Sequence, residues 1–159
     1  MRIGILGTRG IPARYGGFET LAEELSARLA ARGHEVTVYT RTRYAQAGLE
    51  EWRGARIRVL PTIPTKYLDT VAHGVLSGLD AALERFDAVL VCNAINAAAA
   101  FLPRLGGKTR VVLNVDGLER NRKKWSAVGR LAYRISERLS TIVPDAVVTD
   151  ARVIRAAAG

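Results

Sequence analysis

The sequence offers few groups that crosslink, stack or cross a bilayer. Cys92 is the only cysteine, so no internal disulfide can form, which fits a reducing compartment. Aromatic residues make up only 6%, too few to line a stacking surface for single-stranded nucleic acid, and no nucleic-acid-binding motif is present. The most apolar stretch, Ala88 to Leu102, is interrupted by Asn93 and Asn96 and is too short to span a membrane. The apolar run at the N-terminus ends before Arg9, too little for a signal peptide. There are no repeats and no low-complexity segment, and no metal site is expected. A soluble, cytoplasmic protein is the expectation, with contact at a membrane surface left open.

What is present is a large apolar fraction and an excess of positive charge. With 48% apolar residues the chain is not mainly disordered. Its 159 residues suit one domain of ordinary size. Folding at that length buries roughly two-thirds of the unfolded surface. Lys and Arg number 24 against 15 Asp and Glu, a formal net charge of +9. That balance favours anionic partners: phosphorylated ligands, acidic membranes or nucleic acid.

The chain is organised around its first stretch. Ile3 to Leu6 is a short apolar run that reads as a buried strand. A loop rich in glycine and arginine follows, and Gly16-Gly17 stands at the mouth of an amphipathic helix. Strand, glycine loop and helix N-terminus form a phosphate-binding arrangement, because free N–H groups and the positive end of the helix dipole converge on one spot. Glycine lets a ligand approach the backbone there. The spacing of Gly4, Gly7 and Gly10 does not match the dinucleotide pattern G-x-G-x-x-G, and a tight turn packing strand against helix is the competing reading.

Beyond Phe18, apolar residues recur at Leu21, Leu25 and Leu29 on one helical face, with Gly33 as the stop. Glu35 to Thr40 predicts a second strand, Arg41 to Gly54 a polar loop, and Ala55 to Leu60 a third strand. Asp69 to Arg85 predicts a helix whose repeating apolar face is Val71, Val75, Leu79 and Leu83. Ala88 to Cys92 predicts a fourth strand, Ala94 to Leu105 a short alanine-rich helix, and Arg110 to Val115 a fifth strand. A long helix follows, striped by Trp125, Val128, Leu131, Ile135, Leu139 and Ile142, and Ala146 to Thr149 predicts a sixth strand.

Uniformly apolar strands that alternate with helices belong to a parallel sheet covered on both faces. The expected fold is α/β: a doubly wound, mostly parallel, Rossmann-like sheet. Ligands of such sheets bind beyond the carboxyl ends of the strands, which nominates the loops after Leu6, Cys92 and Val115.

Three stretches resemble family 4 glycosyltransferases: Gly4 to Thr20, Arg32-Gly-His-Glu-Val-Thr-Val38, and Asn114-Val-Asp-Gly-Leu-Glu119 with Lys124-Trp125. The pattern looks most like a bacterial, rhamnosyltransferase-like subgroup, and the resemblance extends over nearly the whole chain. It implies one half of the GT-B architecture, in which two Rossmann-like domains face each other across a cleft. Residues 1–159 would be the N-terminal, acceptor-side domain. The C-terminal domain, holder of most of the sugar-nucleotide pocket, is expected to be absent here, leaving this half inactive alone. The implied activity is retaining transfer of a hexosyl unit from a nucleoside-diphosphate sugar to a glycan or lipid-linked acceptor, in surface polysaccharide or glycolipid assembly. No cofactor beyond that donor, no metal and no nucleic acid are expected.

The same resemblance brings Gly16 and Gly17 to the donor diphosphate, with Phe18 beside them. Arg9 and Arg14 would neutralise its charge, or are solvated loop residues. Glu19 meets the helix dipole or accepts a hydrogen bond from a sugar hydroxyl. Asp116 follows an apolar strand and precedes Gly117, where many relatives carry a histidine nearby. A carboxylate there can accept from sugar hydroxyls, stabilise positive charge developing at an anomeric carbon, or cap the turn. Glu119 is a further ligand candidate. Asn93 and Asn96 suit a turn or an acceptor contact. His34 reads as structural, His73 as exposed or at the core edge, and Cys92 as a buried apolar residue. Arg130, Arg134 and Arg138 lie four apart on one helix face, either solvated or facing an anionic membrane that holds a lipid-linked acceptor. The competing function is an NADP-dependent oxidoreductase, with Arg41 after the second strand meeting the 2′-phosphate.

Overall fold

A computed structural model of the chain describes residues 1–14, 16–63, 68–115 and 144–149. In chain order the elements are β1 (Arg2–Leu6), α1 (Gly17–Ala31), β2 (Glu35–Arg41), β3 (Glu51–Trp52), β4 (Ala55–Leu60), α2 (Leu68–Glu84), β5 (Ala88–Cys92), β6 (Arg110–Val115) and β7 (Ala146–Thr149). Three short 3-10 segments, Thr42–Tyr44, Ala94–Ala99 and Leu102–Gly106, complete them. The strands form one sheet in the order β3-β4-β2-β1-β5-β6-β7. Every pairing is parallel except that of β3 with β4.

The path of the chain positions the site. It steps from β1 outward through β2 to β4, and α2 then carries it back across the sheet to β5. The winding direction reverses between β1 and β5, which are hydrogen-bonded neighbours with Leu6 opposite Val91. Such a reversal opens a crevice at the carboxyl ends of the strands. Cys92 in turn lies opposite Asn114 of β6. The carboxyl ends of β1, β5 and β6 therefore lie side by side at one edge, and the expected doubly wound α/β fold is the one observed.

Alternation along the strands divides the core in two. On one face Ile5, Val36, Val38, Ile57 and Cys92 pack with Ala22, Phe18, Leu25 and Leu29 of α1. On the other, Leu6, Tyr39, Val89, Val91, Val111 and Leu113 pack with Ala81 and Phe86. The Tyr39 hydroxyl donates to Asp80 of α2 at 2.9 Å, and Arg58 donates to both oxygens of the same carboxylate at 2.8 and 3.2 Å. Burial and the Asp80 charge push the Tyr39 phenol well above its ordinary range.

The structure corrects three expectations. The stretch expected as a polar loop, Arg41 to Gly54, contains β3, whose Trp52 pairs with Ala55 across a tight turn. The helix expected over Ala94 to Leu105 is two 3-10 segments. The third correction concerns α2. Its four-residue repeat, Val71, Val75, Leu79 and Leu83, faces solvent, while His73, Gly74, Ser77, Gly78, Ala81 and Ala82 are buried. Size explains the inversion, because the small face lets α2 approach the sheet and the 3-10 segments closely. A Cβ on Gly74 would lie 2.5 Å from Asn96 Oδ1, one on Gly78 would lie 3.0 Å from the Leu102 Cβ, and one on Gly106 would lie 1.7 Å from the Ala82 carbonyl oxygen. The predicted helix before Ile142, with its stripe from Trp125, lies outside the described residues.

Gly106→Ala is expected to destabilise the fold by about 2 kcal/mol, because backbone rather than a movable side chain occupies the space. At this chain length the melting temperature should fall by roughly 4–8 °C. Gly17→Ala, where a Cβ meets nothing within 4 Å, should leave it unchanged. Thermal melts followed by circular dichroism compare the two.

Candidate functional site

The loop from Gly7 to Arg14 is pinned at nearly every step by side chains from β2 and α1. Gly7 has φ +92°, and a Cβ there would lie 2.2 Å from the Cys92 carbonyl oxygen, so β1 can turn beside β5 only with glycine. The Thr8 hydroxyl accepts from Gly10 N–H at 3.1 Å. The Thr40 hydroxyl accepts from Ile11 N–H at 3.3 Å. The Glu19 carboxylate accepts from Arg9 N–H at 3.0 Å, and Glu23 from Ala13 N–H at 2.5 Å. The peptide between Ile11 and Pro12 is cis. Arg9 lies over the Tyr44 ring, 5.4 Å from its centroid, and Arg14 is exposed.

The start of α1 is built differently. Gly16 is its N-cap, with φ 110° and ψ 151°, a conformation open only to glycine, and no side chain caps the helix. The Gly16 carbonyl accepts from Thr20 N–H at 3.2 Å. Among the described residues nothing accepts from the N–H groups of Gly17 or Phe18, and Gly16 and Gly17 are exposed. Loop amides are thus spent on the protein's own oxygens, whereas the first two helical amides have no acceptor among the described residues. A Cβ on Gly16 would meet Glu19 Oε2 at 2.2 Å, so that carboxylate lies against the same opening. Its negative charge opposes an anion there, and any anion docked at this end needs cationic help beyond the helix dipole.

Behind the loop lies a buried polar group that composition and periodicity do not reveal. Arg41 is 5% exposed. Its Nε donates to the Thr8 carbonyl at 3.2 Å, and its guanidinium pairs with Asp69 of α2. A guanidinium held this way is not available to a 2′-phosphate, which removes the residue that favoured an NADP enzyme. Burial raises the Asp69 carboxyl, but the hydrogen bond from Thr62 and the Arg41 charge outweigh it and hold the group below its ordinary value. His73, expected at the surface or the core edge, is completely buried, and neither ring nitrogen has a hydrogen-bond partner of good geometry. Burial first, and then the Arg41 charge, lower its pKa to about 4, so the imidazole is neutral at pH 7.

At the neighbouring strand end, Asn93 has φ 74°, and its side-chain oxygen accepts from Ile95 N–H at 3.2 Å. Asn96 is buried and donates to the carbonyls of Cys92 at 2.8 Å and Gly7 at 3.4 Å, locking the loops after β5 and β1 together. Cys92 is buried as expected, and burial, reinforced by the Glu19 charge, pushes its thiol up to about 12. Asp116, Gly117, Glu119, Arg130, Arg134 and Arg138 lie outside the described residues. Among the described residues no group of His, Cys, Asp and Glu could hold a metal ion.

A glycine-bearing loop and an open helix start at the switch point of a doubly wound sheet define a Rossmann-like α/β domain with its ligand site at the strand ends. Residues 16–159 match the glycosyl transferase 4-like domain, and the chain belongs to that family of glycosyltransferases. No curated protein sequence matches it. Among solved structures it is similar to sucrose-phosphate synthase from Thermosynechococcus elongatus, with a TM-score of 0.72 and 14% identity. The match covers 98% of this chain and 43% of that one, so the chain spans less than half the length of this solved relative.

The depressed His73 pKa makes stability depend on pH. Between pH 6.5 and about 4 the unfolded chain binds a proton that the folded chain refuses, so stability falls as pH is lowered through this window and levels off below it. The loss should reach about 3 kcal/mol at most. Asp69 and Asp80, held below 3.8, contribute stability that is lost only at lower pH. Urea unfolding at a series of pH values should show the slope in the parent protein, and His73→Gln should remove it.

Proposed function

We propose that this chain is the acceptor-side half of a retaining, nucleotide-sugar-dependent glycosyltransferase of the rhamnosyltransferase-like kind. It moves a hexosyl unit from a nucleoside diphosphate to a glycan or lipid-linked acceptor in bacterial surface polysaccharide or glycolipid assembly. The observation that carries the proposal is the first turn of α1, where the N–H groups of Gly17 and Phe18 stay open while the loop amides before them are used internally. Charge-assisted hydrogen bonds to a phosphate oxygen are what such amides supply.

In this reading the C-terminal domain of the same enzyme brings the donor, and the diphosphate docks on Gly16 and Gly17 as the two halves close. Arg14, exposed beside the loop, offsets the Glu19 charge. The acceptor occupies the crevice near Asn93. Asp116 and Glu119 are its partners from the segment after β6, with Asp116 the group that would steady charge at the anomeric carbon. In a retaining transfer the departing phosphate takes the acceptor's hydroxyl proton on the same face. The half alone is inactive. The setting is the cytoplasm, at the inner face of the membrane, with Arg130, Arg134 and Arg138 turned to anionic lipid. No helix among the described residues is long and apolar enough to cross a membrane.

Titration with UDP, GDP and dTDP, followed by amide chemical shifts, tests the proposal. Binding should perturb Gly17 and Phe18. Gly17→Pro keeps the geometry of the first helical position but deletes one N–H. It should weaken binding about tenfold or more, the worth of a hydrogen bond to a charged group, with little change in melting temperature. Shifts confined to other elements, or NADP binding tighter than any nucleoside diphosphate, would sink the reading.

A further inference from the structure

We infer that the outer face of α2, together with the neighbouring Leu102–Gly106 segment, is a docking surface for an anionic lipid bilayer. This gives a described surface to the membrane contact proposed above, and it stands or falls separately from the transfer chemistry. Val75, Leu79 and Leu83 are 39%, 44% and 83% exposed, and Leu105 beside them is 67% exposed. The face continues at Val71 on the first turns of the helix. A contiguous ridge of this kind is unusual on a surface that meets only water. Its helix already packs a second, small-residue face on the protein, and the aliphatic face is left outside that contact.

Charge identifies the occupant. Leu79, Leu83 and Leu105 line a shallow groove whose rim includes Arg85 and Gly106. Those two residues also line the adjoining depression, which contains Lys108 and Arg110. Arg85 and Lys108 are exposed and have no ion-pair partner among the described residues. The acids nearby are already engaged. Glu84 pairs with Arg2 at 2.8 Å, Asp87 accepts from Arg2 N–H at 2.7 Å, and Asp80 is held by Arg58 and Tyr39. A second copy of this chain would bring no free carboxylates from this face to meet the basic rim. A bilayer supplies both halves of the complement, with acyl chains for the leucines and anionic headgroups for the cations.

Cosedimentation with vesicles tests this. The chain should bind vesicles of phosphatidylcholine mixed with phosphatidylglycerol at least about tenfold more tightly than phosphatidylcholine alone, because each basic residue near an anionic surface contributes about fivefold. Added salt should weaken the binding. Leu79→Asp/Leu83→Asp should abolish it, and Arg85→Glu/Lys108→Glu should reduce it at least about tenfold. Leu83→Ser, at a side chain too exposed to matter for folding, should reduce it with an unchanged melting temperature. The nucleotide titration described above should be the same in all these variants, so a failed transferase reading and a failed docking surface leave different traces. Equal binding to both vesicle types would overturn the inference. So would binding indifferent to the ridge variants but lost in Arg130→Glu/Arg134→Glu/Arg138→Glu. A dimer that Leu79→Asp/Leu83→Asp dissolves, with no vesicle binding, would assign the ridge to a second copy instead.

Discussion

A guanidinium taken out of water must keep its partners, since stripping one from a buried ion pair costs about 3–5 kcal/mol. Arg41 imposes that constraint here. It ends β2, donates to the carbonyl of Thr8 after β1, and pairs with Asp69 on the first turn of α2. Three segments far apart in the chain are therefore fixed as one unit. The glycine loop inherits its shape from that unit, and Thr40, Glu19 and Glu23 complete the fixation. The open amides of α1 are presented by a loop with little freedom left, and preorganisation of this kind favours electrostatic recognition because little must move when charge arrives.

The second constraint is distance. α2 lies close to its neighbours because Gly74, Gly78 and Gly106 leave no room for a Cβ. Close approach requires small residues, and small residues bury little apolar area per helical turn. The helix compensates with polar anchors at its edge, Asp69 to Arg41 and Asp80 to Arg58 and Tyr39. What remains of its hydrophobicity is turned outward. The same economy accounts for the tight contact inside and the aliphatic ridge outside.

Much of the fold was legible in the sequence because its strands are short, apolar and separated by helical periodicity. Ala55–Leu60, Ala88–Cys92, Arg110–Val115 and Ala146–Thr149 have the bounds expected of them. The grouping of the loops after β1 and β5 followed from the sheet type alone. Three things did not follow, for physical reasons. Periodicity weighs hydrophobic size, so on α2 it selected the larger residues and passed over Gly74 and Gly78, whose four-residue spacing was the mark of the packed side. A two-residue strand such as β3 carries too little pattern to stand out. Arg41 read as the start of a polar loop, or as a partner for a 2′-phosphate, because burial of a charge depends on a partner 28 positions away, Asp69, and pairing at that range leaves no local trace. The roles of Glu19 and Glu23 were hidden for the same reason, as each serves a backbone N–H 10 positions earlier.

The lone thiol has a practical consequence. Cys92 is fully buried and its proton is held until about pH 12, so almost no thiolate exists near neutrality. Maleimides and disulfide reagents act on the thiolate of an accessible cysteine. The protein is thus already silent to such probes, and a cysteine installed at one exposed position would be labelled alone. Fluorophores or spin labels for distance measurements can be introduced without first mutating the native residue.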